Sequence, residues 1–249
     1  MRRTAARLQL VLESRAAEAI ERIREYEPPD GYYLGDSGGK DSTVLLDLAK
    51  RSGVRYDAHY NVSPIDPPEV RQFLKAHHPE TQFDIHAKNF WGKPFESRGP
   101  PMRPPTGHRW CCELIKEAGG EGRVKLLGMR RQESGTRRDY PVHNIRCPLE
   151  HTEWVLPIVD WSEADVWCYL RERGLPVNPL YAEGFQRIGC VLCPFKGAAE
   201  TQRDLVRFPK IAANWRAACY RYFDKRIERG TPLPWATAEE FWQWWLSRA

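Results

Sequence analysis

Apolar positions along the chain change period repeatedly, and the changes mark out alternating helices and strands. Over residues 5–26, Leu8, Val11, Leu12, Ala16, Ala19, Ile20 and Ile23 fall near one helical face, and Pro28–Pro29 ends the run. Gly31–Tyr32–Tyr33–Leu34 is short, aromatic and apolar, as a buried strand of a parallel sheet should be. Val44, Leu45, Leu46, Leu48 and Ala49 then predict a helix closed by Gly53, and Val54–Val62 alternates as a second strand. Asp66 reads as the cap of a helix opened by Pro67 and Pro68 and running to about His78. Gln82–Ala87, Arg123–Met129 and Trp154–Ile158 predict three more strands. Ser162–Glu163–Ala164–Asp165 starts a helix that ends before Gly174. Such alternation predicts an α/β protein with a doubly wound, mainly parallel sheet.

Between these elements the pattern lapses in three places. From Trp91 to Thr106, Pro94, Pro100, Pro101, Pro104 and Pro105 are expected to exclude regular structure, and a loop of that length is more often functional than idle. It leads to Arg109–Trp110–Cys111–Cys112 and a short helix containing Lys116. Residues 139–152 show no clear periodicity, and Asn178–Pro179–Leu180–Tyr181 breaks the next helix. Two or three helices finish the chain, the first two parted by Pro209 and the last opened by Thr237–Glu240 with Trp242, Trp244 and Trp245 as packing residues. The expected division is an N-terminal helix over 1–28, a central α/β domain over 29–196 and a helical extension over 197–249.

The most informative polar stretch is Leu34–Gly35–Asp36–Ser37–Gly38–Gly39–Lys40–Asp41–Ser42–Thr43, placed between the first strand and its helix. Unpaired backbone N–H groups and the helix dipole draw an anion to such a turn. Gly38 and Gly39 allow close approach of a phosphate, Lys40 adds a point charge, and Ser37 and Ser42 add hydroxyl donors. Asp41 is suited to capping the helix or to holding Mg²⁺. An ordinary glycine turn remains the competing explanation for a Gly-Gly pair taken alone. His59 and Asn61, at the carboxyl end of the second strand, are equally suited to nucleotide contact or to a structural role.

Composition narrows the class. The chain has 249 residues and a net charge of +5, enough for a sizeable core and a mild preference for anions, but no argument in itself for nucleic acid. No apolar run reaches membrane-spanning length, and the basic Met1–Arg2–Arg3 start is followed by Glu13, Glu18 and Glu21 rather than by a cleavable apolar core. Seven cysteines, an odd number, point to a reducing compartment and to metal or thiol chemistry, so the expected location is cytoplasmic, with no membrane partner.

Two cysteine pairs stand out, Cys111–Cys112 and Cys190–Val191–Leu192–Cys193. Each pair alone is compatible with a zinc half-site, a redox pair or buried structural thiols. Beside Ser37–Gly38–Gly39–Lys40–Asp41–Ser42, however, they make the chain similar to the PAPS-reductase-like family of the adenine nucleotide alpha-hydrolase, or PP-loop ATP pyrophosphatase, superfamily. Arg109-x-Cys-Cys-x-x-x-Lys116 and Gly128-x-Arg130-x-x-Glu133-Ser134-x-x-Arg137 also resemble its motifs, and the likeness spans about residues 30–195. It implies that Cys111, Cys112, Cys190 and Cys193 bind a [4Fe–4S] cluster, with zinc the alternative at the same thiols. It further implies that Ser37, Gly38, Gly39, Lys40, Asp41, Ser42, Arg109, Lys116, Glu133 and Ser134 bind ATP and Mg²⁺, with Lys40, Asp41, Arg130 and Arg137 catalytic. Solvated salt bridges are the plainer role for the arginines.

The family's sulfonucleotide reductases carry a nucleophilic cysteine near a flexible C-terminus, whereas this sequence ends Trp244–Trp245–Leu246–Ser247–Arg248–Ala249, and its Lys40–Asp41 pair is intact. Both departures favour cleavage of ATP at the α–β bond, as a hydrolase or adenylyl-transferring enzyme, over reduction of PAPS or adenylylsulfate. Cys168 and Cys219 are expected to pack in helices, while Cys147 stays a candidate thiol. The resemblance implies an adenine nucleotide as ligand and a sulfur donor or nucleic-acid-processing proteins as partners. A third reading is a non-catalytic nucleotide-binding accessory protein of a phosphorothioation or type IV-B CRISPR system.

Overall fold

In the computed structural model, residues 2–86, 88–103, 107–147 and 152–247 are described. Their contacts group the chain into two compact units, one of Met1–Tyr60, Pro68–Asp84 and Gly119–Ile188, the other of Asn61–Pro67, Ile85–Ala118 and Gly189–Ala249. This grouping runs along different lines from 1–28, 29–196 and 197–249: the first helix shares a unit with the sheet, and both cysteine pairs share a unit with the C-terminal helices.

The first unit is built on α1 (Arg2–Glu25), β1 (Tyr32–Gly35), α2 (Lys40–Ser52), β2 (Tyr56–Asn61), α3 (Pro68–His77) and β3 (Gln82–Asp84). It continues with β4 (Val124–Leu126), β5 (His143–Cys147), β6 (Thr152–Val155) and α5 (Glu163–Glu172), α4 belonging to the other unit. The strands form one sheet in the order β3-β2-β1-β4-β6-β5. β1 runs parallel to β2 and β4, β4 runs parallel to β6, and β5 is antiparallel to β6. Strand order reverses at β1, whose chain goes first to one neighbour and later to the other. The turn after β1 therefore lies at the switch point where open α/β sheets bind ligands.

Helices α1, α2 and α5 bury their apolar stripes against one sheet face. Ala19, Ile20, Ile23, Val44, Leu45, Leu48, Val166 and Leu170 join Leu34, Ala58, Leu126 and Val155 in a single cluster. Each Val, Leu or Ile side chain among them contributes roughly 1.5–3 kcal/mol by leaving water. Tyr32, fully buried, ties β1 to α1 by donating its hydroxyl hydrogen to the Ile23 carbonyl at 2.9 Å. Ser162 caps α5 as its sequence predicts, accepting the Asp165 N–H at 3.2 Å.

The strand β5 was not legible in the pattern, because it is an antiparallel edge strand whose identity comes from pairing with β6 rather than from apolar alternation. The second unit holds another departure. The segment from Trp91, expected to exclude regular structure, contains α4 (Lys93–Arg98), with Pro94 in its first turn and Gly99 closing it at φ 73°. Proline is compatible with a first helical turn, where its missing N–H costs nothing. Residues 104–106 of that segment lie outside the described residues. The unit is completed by α6 (Ala198–Arg207), α7 (Pro209–Glu228) and α8 (Ala238–Leu246).

Its core is aromatic. Trp215 packs edge-on to Phe90 and Trp91 and meets Trp245 at 4.9 Å between ring centroids. Three buried indoles find carbonyls: Trp110 donates to Gly99 at 3.1 Å, Trp215 to Val191 at 3.1 Å and Trp245 to Pro101 at 2.9 Å. The indoles thus pin the proline-rich segment and the Cys190 turn from inside, while meeting the hydrogen-bond demand of their own burial.

Candidate functional site

The turn between β1 and α2 is shaped by a side chain at its base. Asp36, 1% exposed, accepts hydrogen bonds from the Gly38 N–H at 3.1 Å, Thr81 Oγ1 at 2.8 Å and His78 Nδ1 at 2.7 Å. Burial alone would push its carboxyl pKa up; the His78, Thr81 and Gly38 donors outweigh burial and hold it below the usual carboxylate value. Gly38 takes φ 67°, and a Cβ there would press on Leu74 and Val70 of α3 at 3.2 and 3.3 Å. Only glycine suits both that backbone and that contact.

Ser42 closes the turn, accepting the Gly39 N–H at 3.1 Å and donating to the Gly39 carbonyl at 3.0 Å. Ser37, exposed, donates to Ser42 Oγ at 3.3 Å. Lys40 is 5% exposed, with its ammonium 3.2 Å from Asp41 Oδ2 and 3.7 Å from Glu163 Oε1. Arg130, for which the resemblance implies a catalytic role and a salt bridge is the plainer one, donates from Nε to Asp41 Oδ1 at 2.6 Å and from Nη1 to the Trp161 carbonyl at 3.3 Å. Both Asp41 oxygens are thereby paired with cations. Arg137 pairs with Glu133, which accepts the Arg130 N–H at 3.3 Å, and Ser134 is exposed beside Thr136. The structure brings Lys40, Asp41 and Arg130 together and links Glu133 and Arg137 to them through the Arg130 backbone.

His59 is stacked on Tyr33 at 4.1 Å and held between Asp57 and Asp84. Asn61, in the second unit, donates to the Ala118 carbonyl at 2.8 Å. Both residues thus have structural partners.

In the second unit the four thiols occupy two shaped backbones. Cys112–Lys116 is a π-helical turn, begun where the Cys112 N–H bonds the Arg109 carbonyl at 2.9 Å. Widened turns of this kind recur at functional sites. Between Cys190 and Cys193, Leu192 adopts φ 56°, the one positive φ of a non-glycine residue among the described residues. Left-handed backbone costs about 1–2 kcal/mol. It is held by Asp204, 0% exposed, which accepts the Leu192 N–H at 2.7 Å and pairs with Lys196 at 2.5 Å.

Cys111, Cys112 and Cys190 line a small pocket with Ser63, Ile65, Ile115 and Lys116. The Cys111 thiol is pushed up by its hydrogen bond to Cys112 and by burial, and the same bond, aided by Arg109 and Lys116, lowers Cys112. Burial pushes the Cys190 thiol up, with Lys116 opposing. Cys111 and Cys190 each feel Cys112 and Cys193 as well, so the two pairs lie within electrostatic reach of one another. Among the described residues no three His, Cys, Asp or Glu side chains close around a single ion. Four cysteines with two flanking cations fit the donor chemistry of an iron–sulfur cluster, and thiolates are equally zinc ligands. Arg109 also pairs with Glu117, and Lys116 lies 3.5 Å from Asp66.

Cys219 is fully buried in α7, where burial raises its thiol, and Cys168 is half-buried on α5. The Cys147 side chain lies outside the described residues. Residues that the pattern did not single out include Asp36, His78 and Thr81 beneath the turn and Glu163, Asn178 and Tyr181 around it. The break at Asn178–Pro179 was the available signal for the last two. No helix among the described residues is long and apolar enough to cross a membrane.

Comparison with known proteins bears on the family and the fold. The family described as phosphoadenosine phosphosulfate reductase domain matches residues 32–196. An uncharacterized protein of Methanocaldococcus jannaschii is 30% identical over 202 residues, covering 76% of this chain and 41% of that protein. The chain thus spans less than half the length of that relative. An adenosine 5′-phosphosulfate reductase of Allochromatium vinosum is 33% identical over 196 residues, covering 73% of this chain and 75% of the reductase. The crystal structure of a phosphoadenylyl-sulfate reductase from Candida auris superposes with a TM-score of 0.51 at 19% identity, over 70% of this chain and 88% of that one, a likeness of fold. With its sheet, its turn after β1 and well over half its length matched, this chain belongs to the phosphoadenosine phosphosulfate reductase domain family.

Proposed function

We propose that the chain is an enzyme that binds ATP at Ser37–Ser42 and cleaves it between the α and β phosphates. An acceptor oxygen would attack the α phosphorus, the bond to the bridging oxygen would break, and pyrophosphate would leave. Water as acceptor gives AMP, and another oxygen gives an adenylate open to sulfur transfer. The observation that carries this reading is Lys40, a buried ammonium at the first turn of α2 beside a turn held open by Gly38 and Asp36. A cation there suits the β and γ phosphates, and its low exposure strengthens the attraction. The leaving pyrophosphate gains charge as the bond breaks, so preorganised N–H and ammonium donors act most strongly at that moment.

Cys111, Cys112, Cys190 and Cys193 would hold a [4Fe–4S] cluster. When bound, such a cluster supplies an anionic iron–sulfur core. Arg109 and Lys116, which already act on the Cys112 sulfur, would offset its charge. Sulfur donors and nucleic-acid-processing partners remain part of the same proposal.

A second reading, reduction of a sulfonucleotide, is favoured by the 33% identity to the Allochromatium reductase. One assay separates the two. Incubation with ATP is expected to yield AMP and pyrophosphate rather than ADP and phosphate. Incubation with adenylylsulfate or PAPS and reduced thioredoxin is expected to yield no sulfite. Sustained sulfite release without AMP formation would replace the first reading by the second.

A further inference from the structure

Building on the ATP-binding reading, we infer that Tyr181 is a phosphate-binding residue, relaying the Lys40 backbone N–H through its own hydroxyl to a phosphate oxygen. The Lys40 N–H is one of the amides at the start of α2 that have no partner within the helix. Here it donates to Tyr181 Oη at 3.0 Å. A phosphate at the turn would thus meet the phenol where it would otherwise meet that amide. The phenol oxygen is used as an acceptor, and among the described residues its hydrogen has no acceptor of its own.

The hydroxyl is placed over the turn by its own segment. Asn178, 2% exposed, accepts the Leu180 N–H at 3.2 Å and reaches the Gly38 carbonyl at 3.5 Å. The Pro179–Tyr181 turn so started sets the Tyr181 ring edge-on to Trp167, with centroids 5.1 Å apart. Tyr181 Oη and Ser37 Oγ both lie 3.5 Å from the point a Cβ on Gly39 would occupy, so two hydroxyls overlook the residue with least bulk. The Lys40 ammonium lies 5.8 Å from the Tyr181 ring centroid. Burial raises the phenol above its ordinary pKa, so the group remains a protonated donor near neutral pH.

An N–H that donates into a hydroxyl oxygen polarises that O–H and makes it a stronger donor in turn. The relay therefore delivers the helix-terminal dipole to the anion without requiring the backbone itself to touch it. The same geometry makes Tyr181 selective: it rewards a phosphate and does nothing for the nucleoside.

The test is calorimetric titration of the whole protein and of Tyr181→Phe with ATP, inorganic pyrophosphate and adenosine. Phenylalanine keeps the ring against Trp167 and Lys40, and thermal unfolding verifies that the fold is retained. Loss of one hydrogen bond to a charged ligand is expected to weaken ATP and pyrophosphate about 10-fold or more. Adenosine binding is expected to be unchanged. Unchanged or tighter ATP binding by Tyr181→Phe, the latter meaning that the phenol merely blocks the amide, would overturn the relay. An equal loss for adenosine would overturn it as well, by showing a general disturbance. If the unaltered protein binds neither ATP nor pyrophosphate, the ATP reading itself falls and takes the relay with it.

Discussion

The turn after β1 and the cysteine pocket use opposite means to present reactive groups. At the turn, the chain satisfies its own polar atoms: Asp36 holds the Gly38 N–H, Ser42 holds both polar groups of Gly39, and Asp41 stands between Lys40 and Arg130. In the cysteine pocket the hydrogen bond to Cys112, then burial, drives Cys111 towards the neutral thiol, and burial does the same to Cys190. The first region is preorganised by hydrogen bonds close in sequence, with a few distant props. The second is assembled from segments some eighty residues apart by count along the chain, and its stability rests on Asp204 and the indoles behind it. A prebuilt turn and a pocket of mutually perturbing thiols should therefore fail in different ways.

The largest expected effect tests the pocket. Anaerobically prepared protein should contain iron and acid-labile sulfide, and Cys111→Ser, Cys112→Ser, Cys190→Ser or Cys193→Ser should remove nearly all of both, while Cys168→Ser leaves them. Elemental analysis finding one zinc and no iron in the unaltered protein would sink the cluster proposal.

Next come the two buried carboxylates, one in each region. Asp36→Ala and Asp204→Ala should each cost about 3–5 kcal/mol in denaturant unfolding, since each strips a buried cation or donor of its partner. A loss under 1 kcal/mol at Asp36 would mean that the turn does not depend on its prop.

Lys40→Ala should weaken ATP about 10- to 100-fold in a binding titration, as expected for a lost charge-assisted contact, with iron content unchanged. Iron loss in that variant would show that the two regions are not independent.

The smallest expected effect is a response to acid. The folded pKa of Asp36 lies below its unfolded value near 4, so its stabilisation is present above that pH. As pH falls below about 4, the unfolded chain takes up the proton first, and the contribution is lost as pH drops through the folded value. Unfolding midpoints should fall below pH 4, and the fall should be shallower in Asp36→Asn; equal slopes would contradict the assignment.

Much of the first region could be read from residue order. The apolar stripe of α1, the buried run of β1, Gly38–Gly39–Lys40 and the Ser162 cap depend on neighbours within a few residues, where periodicity and backbone preference carry the information. What escaped was the set of distant partners. The order of residues does not name Asp41 as the partner of Arg130, which folding carries 89 residues back to it, and His78 and Thr81 reach Asp36 from the far end of α3 and beyond it. The edge strand β5 and the helix α4 were likewise missed, one defined by pairing and the other short enough to depend on α7 behind it.

Residue order therefore sufficed for the parallel α/β architecture, and it nominated the turn after β1 and the four thiols as candidates, because each rests on local pattern or on residue type. It could not assign Asp41 to Arg130, Asp204 to the Leu192 backbone, or Tyr181 to the Lys40 amide. Those partnerships join residues 89, 12 and 141 positions apart, and only chain folding brings the donors and acceptors within hydrogen-bond range. Local preference sets what each segment becomes; the cost of burying an unpaired polar group selects which segments must meet.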